Sequence, residues 1–129
     1  MATILVIDDE EMVRATLRLA LEAAGHRILE ASNGDEGLQL LDTHEIDLTI
    51  TDIIMPEKEG IETIIGIRRR QPDARIIAIS GGSRSQDIDF LRIAERLGAV
   101  HSLAKPFSPQ MLLELVEAAM AGAGAPNEL

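Results

Sequence analysis

Short apolar runs alternate with helical periodicity five times along the chain. Thr3-Ile4-Leu5-Val6-Ile7 is rich in β-branched residues and too short for a helix, so residues 3–8 read as a buried strand. Val13, Leu17, Ala20, Leu21 and Ala24 recur at helical spacing and predict a helix over 11–24, with Gly25 as its stop. Residues 27–31 predict a second strand, and 35–43 a second helix with Leu38, Leu41 and Asp42 on one stripe. Asp47-Leu48-Thr49-Ile50-Thr51 predicts a third strand over 47–51. The helix expected over 60–70 carries Ile61, Ile64, Ile65 and Ile67. It ends in Arg68-Arg69-Arg70, cations that complement the dipole of a helix C-terminus, ahead of Pro72. Residues 75–79 predict a fourth strand, 86–97 a helix closed by Gly98, and 100–103 a fifth strand. Ser108 as N-cap and Pro109 in the first helical position open a last helix over 109–120.

Five strand–helix units predict an α/β fold, a doubly wound parallel sheet whose right-handed crossovers put helices on both faces. A barrel needs eight units and a longer chain. The 129 residues are expected to form one domain over 1–121, then a flexible Gly/Ala-rich tail over 122–129 and no effector domain. Twelve basic against 22 acidic residues give a net charge of -10, which argues against nucleic acid and against anionic membrane surfaces as partners. The chain has no cysteine, so thiol chemistry and thiolate metal sites are excluded. Acidic residues Asp8 to Glu11 interrupt the apolar N-terminus, no window reads as a signal peptide or membrane span, and a cytoplasmic location is expected. Only Phe90 and Phe107 are aromatic, a poor basis for stacking on bases or sugars.

Open α/β sheets bind their ligands at the carboxyl ends of the strands. Asp8 and Asp9 follow the first strand, Asp52 the third, Ser80 the fourth and Lys105 the fifth. Three carboxylates brought together repel one another and push at least one pKa up, and a hard divalent cation such as Mg²⁺ resolves the conflict. These are the parts needed to move a phosphoryl group onto a carboxylate. Asp52 is the nucleophile, the cation and Lys105 neutralise the transferring oxygens, and Ser80 donates a hydrogen bond. Each residue alone has an ordinary explanation: acids at a helix N-terminus, a turn-forming Asp, a glycine loop, a solvated Lys-Pro turn. Those explanations do not account for all of them falling at one edge of one sheet. His26, His44 and His101 show no ligand spacing and read as surface residues.

With Ile7-Asp8-Asp9-Glu10, Asp52-Ile53-Ile54-Met55-Pro56 with Gly60, Ser80-Gly81 and Lys105-Pro106-Phe107 in this order, residues 3–120 resemble the receiver domain of two-component response regulators, the CheY-like superfamily. The resemblance implies a flavodoxin-like (βα)5 fold with strand order 2-1-3-4-5. It implies that Asp52 is the phosphoacceptor, and that Asp8, Asp9, Asp52 and the Ile54 backbone carbonyl hold Mg²⁺. Ser80 matches the family's switch hydroxyl and Lys105 its phosphate-contacting lysine, and Lys105-Pro106 matches a peptide bond that is usually cis. The implied function is a stand-alone response regulator. It takes a phosphoryl group from a histidine kinase or phosphotransfer protein and switches affinity for a downstream protein. Its chemistry is self-catalysed, and it is not an enzyme acting on separate substrates.

Three positions depart from the family pattern. Ser102 stands where an aromatic usually rotates on activation. Ile54 is apolar where many relatives are polar, while Gly82 leaves space, and the pair is expected to set the phosphoryl lifetime. The segment from Ser80 to Gly98 is somewhat long, and Phe90 and Ile93 give its helix a second apolar side. That side is either an output or dimer patch, formed with the fifth strand and last helix, or a wider core contact. Two other functions compete. A pseudo-receiver that binds partners without phosphorylation fits Ser102 but not the intact acidic set. A small phosphatase with Asp52 as nucleophile needs an acid/base carboxylate two residues later, where Ile54 stands.

Overall fold

The computed structural model describes residues 2–52, 59–80, 92, 96, 98 and 101–121. Five strands, β1 (Thr3–Ile7), β2 (Arg27–Ala31), β3 (Leu48–Asp52), β4 (Ile76–Ser80) and β5 (His101–Ala104), form one parallel sheet in the order β2-β1-β3-β4-β5. Helices α1 (Glu11–Ala23), α2 (Gly34–Thr43), α3 (Glu59–Arg70) and a last helix (Pro109–Ala121) pack on it. The expected helix over 86–97 and the expected tail over 122–129 fall outside the described residues, apart from Arg92 and Arg96, which are helical.

The central strands are buried because both their faces are covered. Successive side chains point to opposite faces, so each strand feeds two cores. Ile4, Val6, Leu48, Ile50, Ile77, Ile79 and Leu103 join Leu17 and Leu21 of α1 and Leu112, Val116 and Ala119 of the last helix. Leu5, Ile7, Ala31, Ile76 and Ala78 face the other way, onto Leu41 of α2 and Ile64 and Ile67 of α3. Two helices thus lie on each face among the described elements. β3 buries polar residues as well, Thr49 and Thr51 on either side of Ile50.

Element ends follow their capping chemistry. Gly25 has φ +95 just past α1 and donates its N–H to the Glu22 carbonyl at 2.9 Å. Asn33 caps α2 by accepting the Glu36 N–H at 2.9 Å, and Ser108 caps the last helix by accepting the Met111 N–H at 3.1 Å. Asp42 is the correction on α2. It does not share the apolar stripe of Leu38 and Leu41, but stands exposed and pairs with Arg70 of α3 at 3.0 Å.

Candidate functional site

β1 and β3 are neighbours at the centre of the sheet, so what leaves their carboxyl ends emerges side by side. Asp8 is the first residue past β1, and Asp52 is the last residue of β3. Asp8 is 1% exposed and Asp52 4%, whereas Asp9 turns outward. One carboxylate oxygen from each of the three lies within 4.8 Å of the other two. Lys105 is the first residue past β5, at a cis peptide bond to Pro106. Its ammonium reaches over the cluster, 3.4 Å from Asp52 Oδ2, 3.7 Å from Asp8 Oδ2 and 3.7 Å from Glu10 Oε1.

Asp8 is held from several sides. Its N–H donates to the Ala31 carbonyl of β2 at 3.1 Å, and its Oδ1 accepts the Glu10 N–H at 2.8 Å. Its Oδ2 is buried and accepts no hydrogen bond. Burial pushes the Asp8 carboxyl above the ordinary range, against the opposing pull of the Glu10 N–H and the Lys105 charge, and the nearby charge of Asp9 adds to the rise. Burial also works against the Lys105 ammonium. The carboxylates of Asp52, Asp8 and Glu10 together outweigh it and hold Lys105 above the usual lysine value.

The donor set fits a hard divalent cation. Three carboxylates converge, and one buried oxygen among them has no hydrogen bond to satisfy it. Lys105 brings a single positive charge to this cluster. Asp8, Asp9 and Asp52 are the residues that could hold such a divalent ion.

Of the other expected site residues, Ser80 closes β4, its backbone beside Ala104 and one step past the Asp52–Ile79 pair. Ser102 is half-buried in β5 beside Ala78. Ile54, Phe90 and Ile93 lie outside the described residues. Glu10 is a participant to which the sequence reading gave no role. It sits at the N-cap of α1 in extended conformation and makes no side-chain cap bond, which leaves its carboxylate free to meet Lys105. Glutamate is not a favoured N-cap residue, and that was the available signal.

An apolar cleft of about 330 Å³ adjoins the cluster, lined by Met12, Val13, Thr16, Leu17, Lys105, Pro106 and Phe107. Met12 is 78% exposed at its rim. No helix among the described residues is long and apolar enough to cross a membrane.

Comparison with known proteins places this geometry. Residues 4–117 match the family described as the response regulator receiver domain. The chain is 37% identical over 119 residues to the DNA-binding transcriptional regulator NtrC of Azospirillum brasilense, covering 92% of this chain and 24% of that protein. It is 36% identical over 117 residues to the probable C4-dicarboxylate response regulator DctR of Priestia megaterium, covering 89% and 50%. The chain therefore spans half or less of the length of these curated relatives. Among solved structures, a response regulator receiver domain protein from Clostridium thermocellum superposes with a TM-score of 0.85 at 32% identity, covering 94% of this chain and 95% of that one.

Proposed function

The chain belongs to the response regulator receiver domain family, and from that premise we propose that it accepts a phosphoryl group on Asp52 and thereby changes its affinity for a protein partner. The donor is the phosphohistidine of a histidine kinase or phosphotransfer protein. The observation that carries the reading is the meeting of Asp8, Asp9 and Asp52 within 4.8 Å, with Lys105 at 3.4 Å from Asp52.

A carboxylate oxygen of Asp52 attacks phosphorus, the P–N bond to the donor imidazole breaks, and the imidazole nitrogen leaves with the electron pair and takes up a proton. Lys105 pairs with Asp52 before transfer and with a phosphoryl oxygen afterwards. Asp8, Asp9 and Asp52 would hold Mg²⁺, which when bound would supply further positive charge against the phosphoryl oxygens. Ser80 is assigned a hydrogen bond to the phosphoryl group. The apolar cleft beside Lys105 gives a phosphodonor protein a surface to rest on. The chemistry modifies the protein's own side chain, so the product is a changed population of two conformations rather than a released molecule.

Intact mass after incubation with Mg²⁺ and a small-molecule phosphodonor tests the proposal. One added phosphoryl group is expected, absent in Asp52→Asn and absent with EDTA. Ser102 in place of an aromatic is the observation that favours the competing pseudo-receiver. That reading takes over if beryllofluoride with Mg²⁺ also leaves the NMR spectrum of the parent unchanged.

A further inference from the structure

Asp8 lies one residue past the last ladder pairs of β1, where Ile7 is matched to Ala31 and Thr51. Its carbonyl is bound instead by a side chain: Arg14 Nη1 of α1 donates to it at 2.7 Å. The same guanidinium donates through Nε to Glu30 Oε1 of β2 at 3.1 Å. Glu30 Oε2 accepts from Arg18 Nη1 at 2.6 Å, and Arg18 Nε donates to Glu22 at 2.9 Å. The Arg14 side chain is 16% exposed against 46% for Arg18, so the inner link is sheltered and the outer links are screened by water.

These bonds complete the restraint on Asp8. The N–H is held by Ala31, the carbonyl by Arg14 and Oδ1 by the Glu10 N–H, so Oδ2, which accepts no hydrogen bond and faces the Lys105 ammonium at 3.7 Å, is the oxygen presented to a ligand. The Glu10 bond is tied into the same turn, because the Arg14 N–H donates to the Glu10 carbonyl at 3.1 Å. We infer that Arg14, oriented by Glu30, is a positioning residue for the cation site, fixing the Asp8 backbone so that its carboxylate is presented to Mg²⁺. Groups that orient a metal-binding side chain set affinity strongly, by about 10–100-fold in known sites. Lysine cannot replace Arg14, since one ammonium does not bridge the carbonyl and the carboxylate in the fixed geometry of a guanidinium fork.

The inference rests on the reading of Asp8 as a Mg²⁺ ligand. Calorimetric titration of Mg²⁺ into the parent and into Arg14→Met, Arg14→Lys, Glu30→Gln and Arg18→Met tests it, with circular dichroism verifying that each is folded. Arg14→Met should weaken Mg²⁺ by about tenfold or more, Arg14→Lys should recover only part, and Glu30→Gln should show a smaller loss. Arg18→Met should stay within about twofold of the parent, because it touches only the screened outer link. A purely structural Arg14 would lower the melting temperature and leave the Mg²⁺ affinity of the folded protein unchanged, and that result overturns the inference. Should Arg14→Met not fold, unchanged affinity in both Arg14→Lys and Glu30→Gln overturns it equally. A parent that binds no Mg²⁺ defeats the cation site itself, and the inference with it.

Discussion

Asp8 carries a sharp conflict, because an ionised carboxylate there is buried and one of its oxygens lacks a hydrogen bond. Its folded pKa stands above its unfolded one. The folded state therefore holds the extra proton within that window, and stability declines as pH rises through it from the ordinary value of 3.8. Asp8→Asn removes the charge and keeps an oxygen to accept the Glu10 N–H. It should raise the melting temperature in EDTA while abolishing Mg²⁺ binding, and paired thermal melts and titrations check both halves. Mg²⁺ needs the carboxylate form, so its affinity in the parent should weaken on acidification across the same window, as titrations at stepped pH would show. Glu30 has the opposite sign: hydrogen bonds from Arg18 and Arg14 hold it below 4.5, so its contribution is present above that value and fades as pH falls through its folded pKa. At this scale the sequence disclosed Asp8, Asp52 and Lys105, because each closes or follows an apolar run. It did not disclose the Arg14–Glu30 link, which spans a helix and a strand and exists only once α1 has packed beside β2.

Elements were legible to within a residue or so at most ends, and the differences have a cause. β3 keeps Asp52, and β4 keeps Ser80, because each still has a ladder partner, Ile79 and Ala104. Polarity marks a strand's end in sequence, whereas pairing marks it in space. α2 shows what periodicity leaves out, since its approach to the sheet depends on a missing side chain. A Cβ at Gly37 would collide with Ile7 Cδ1 and sit 2.9 Å from Ile7 Cγ1, and Ile7 is fully buried. Gly37→Ala should destabilise by about 1–3 kcal/mol through overpacking, despite a gain of about 1 kcal/mol in helix propensity. Adding Ile7→Val removes the obstructing methyl and should return part of the loss, which a double-mutant cycle in urea would measure. Ser108→Ala leaves the Met111 N–H uncapped and should cost about 1 kcal/mol in the same assay.

For the whole molecule, alternation of five strands with helices was enough to anticipate a doubly wound sheet, and the order β2-β1-β3-β4-β5 supplies what alternation cannot, namely which carboxyl ends are adjacent. That adjacency would couple a bound cation to the fold. At Mg²⁺ about 100-fold above its dissociation constant, the folded state should gain about 2.7 kcal/mol, seen as a melting temperature that climbs with Mg²⁺ in the parent and stays flat in Asp8→Asn. The sheet order also sets a schedule during synthesis. Lys105 meets Asp52 across 53 residues of chain, and β5 can dock only on a β4 that is already in place. A nascent chain whose β5 is still inside the ribosome has its acidic residues but lacks the Lys105 contacts that complete the cluster.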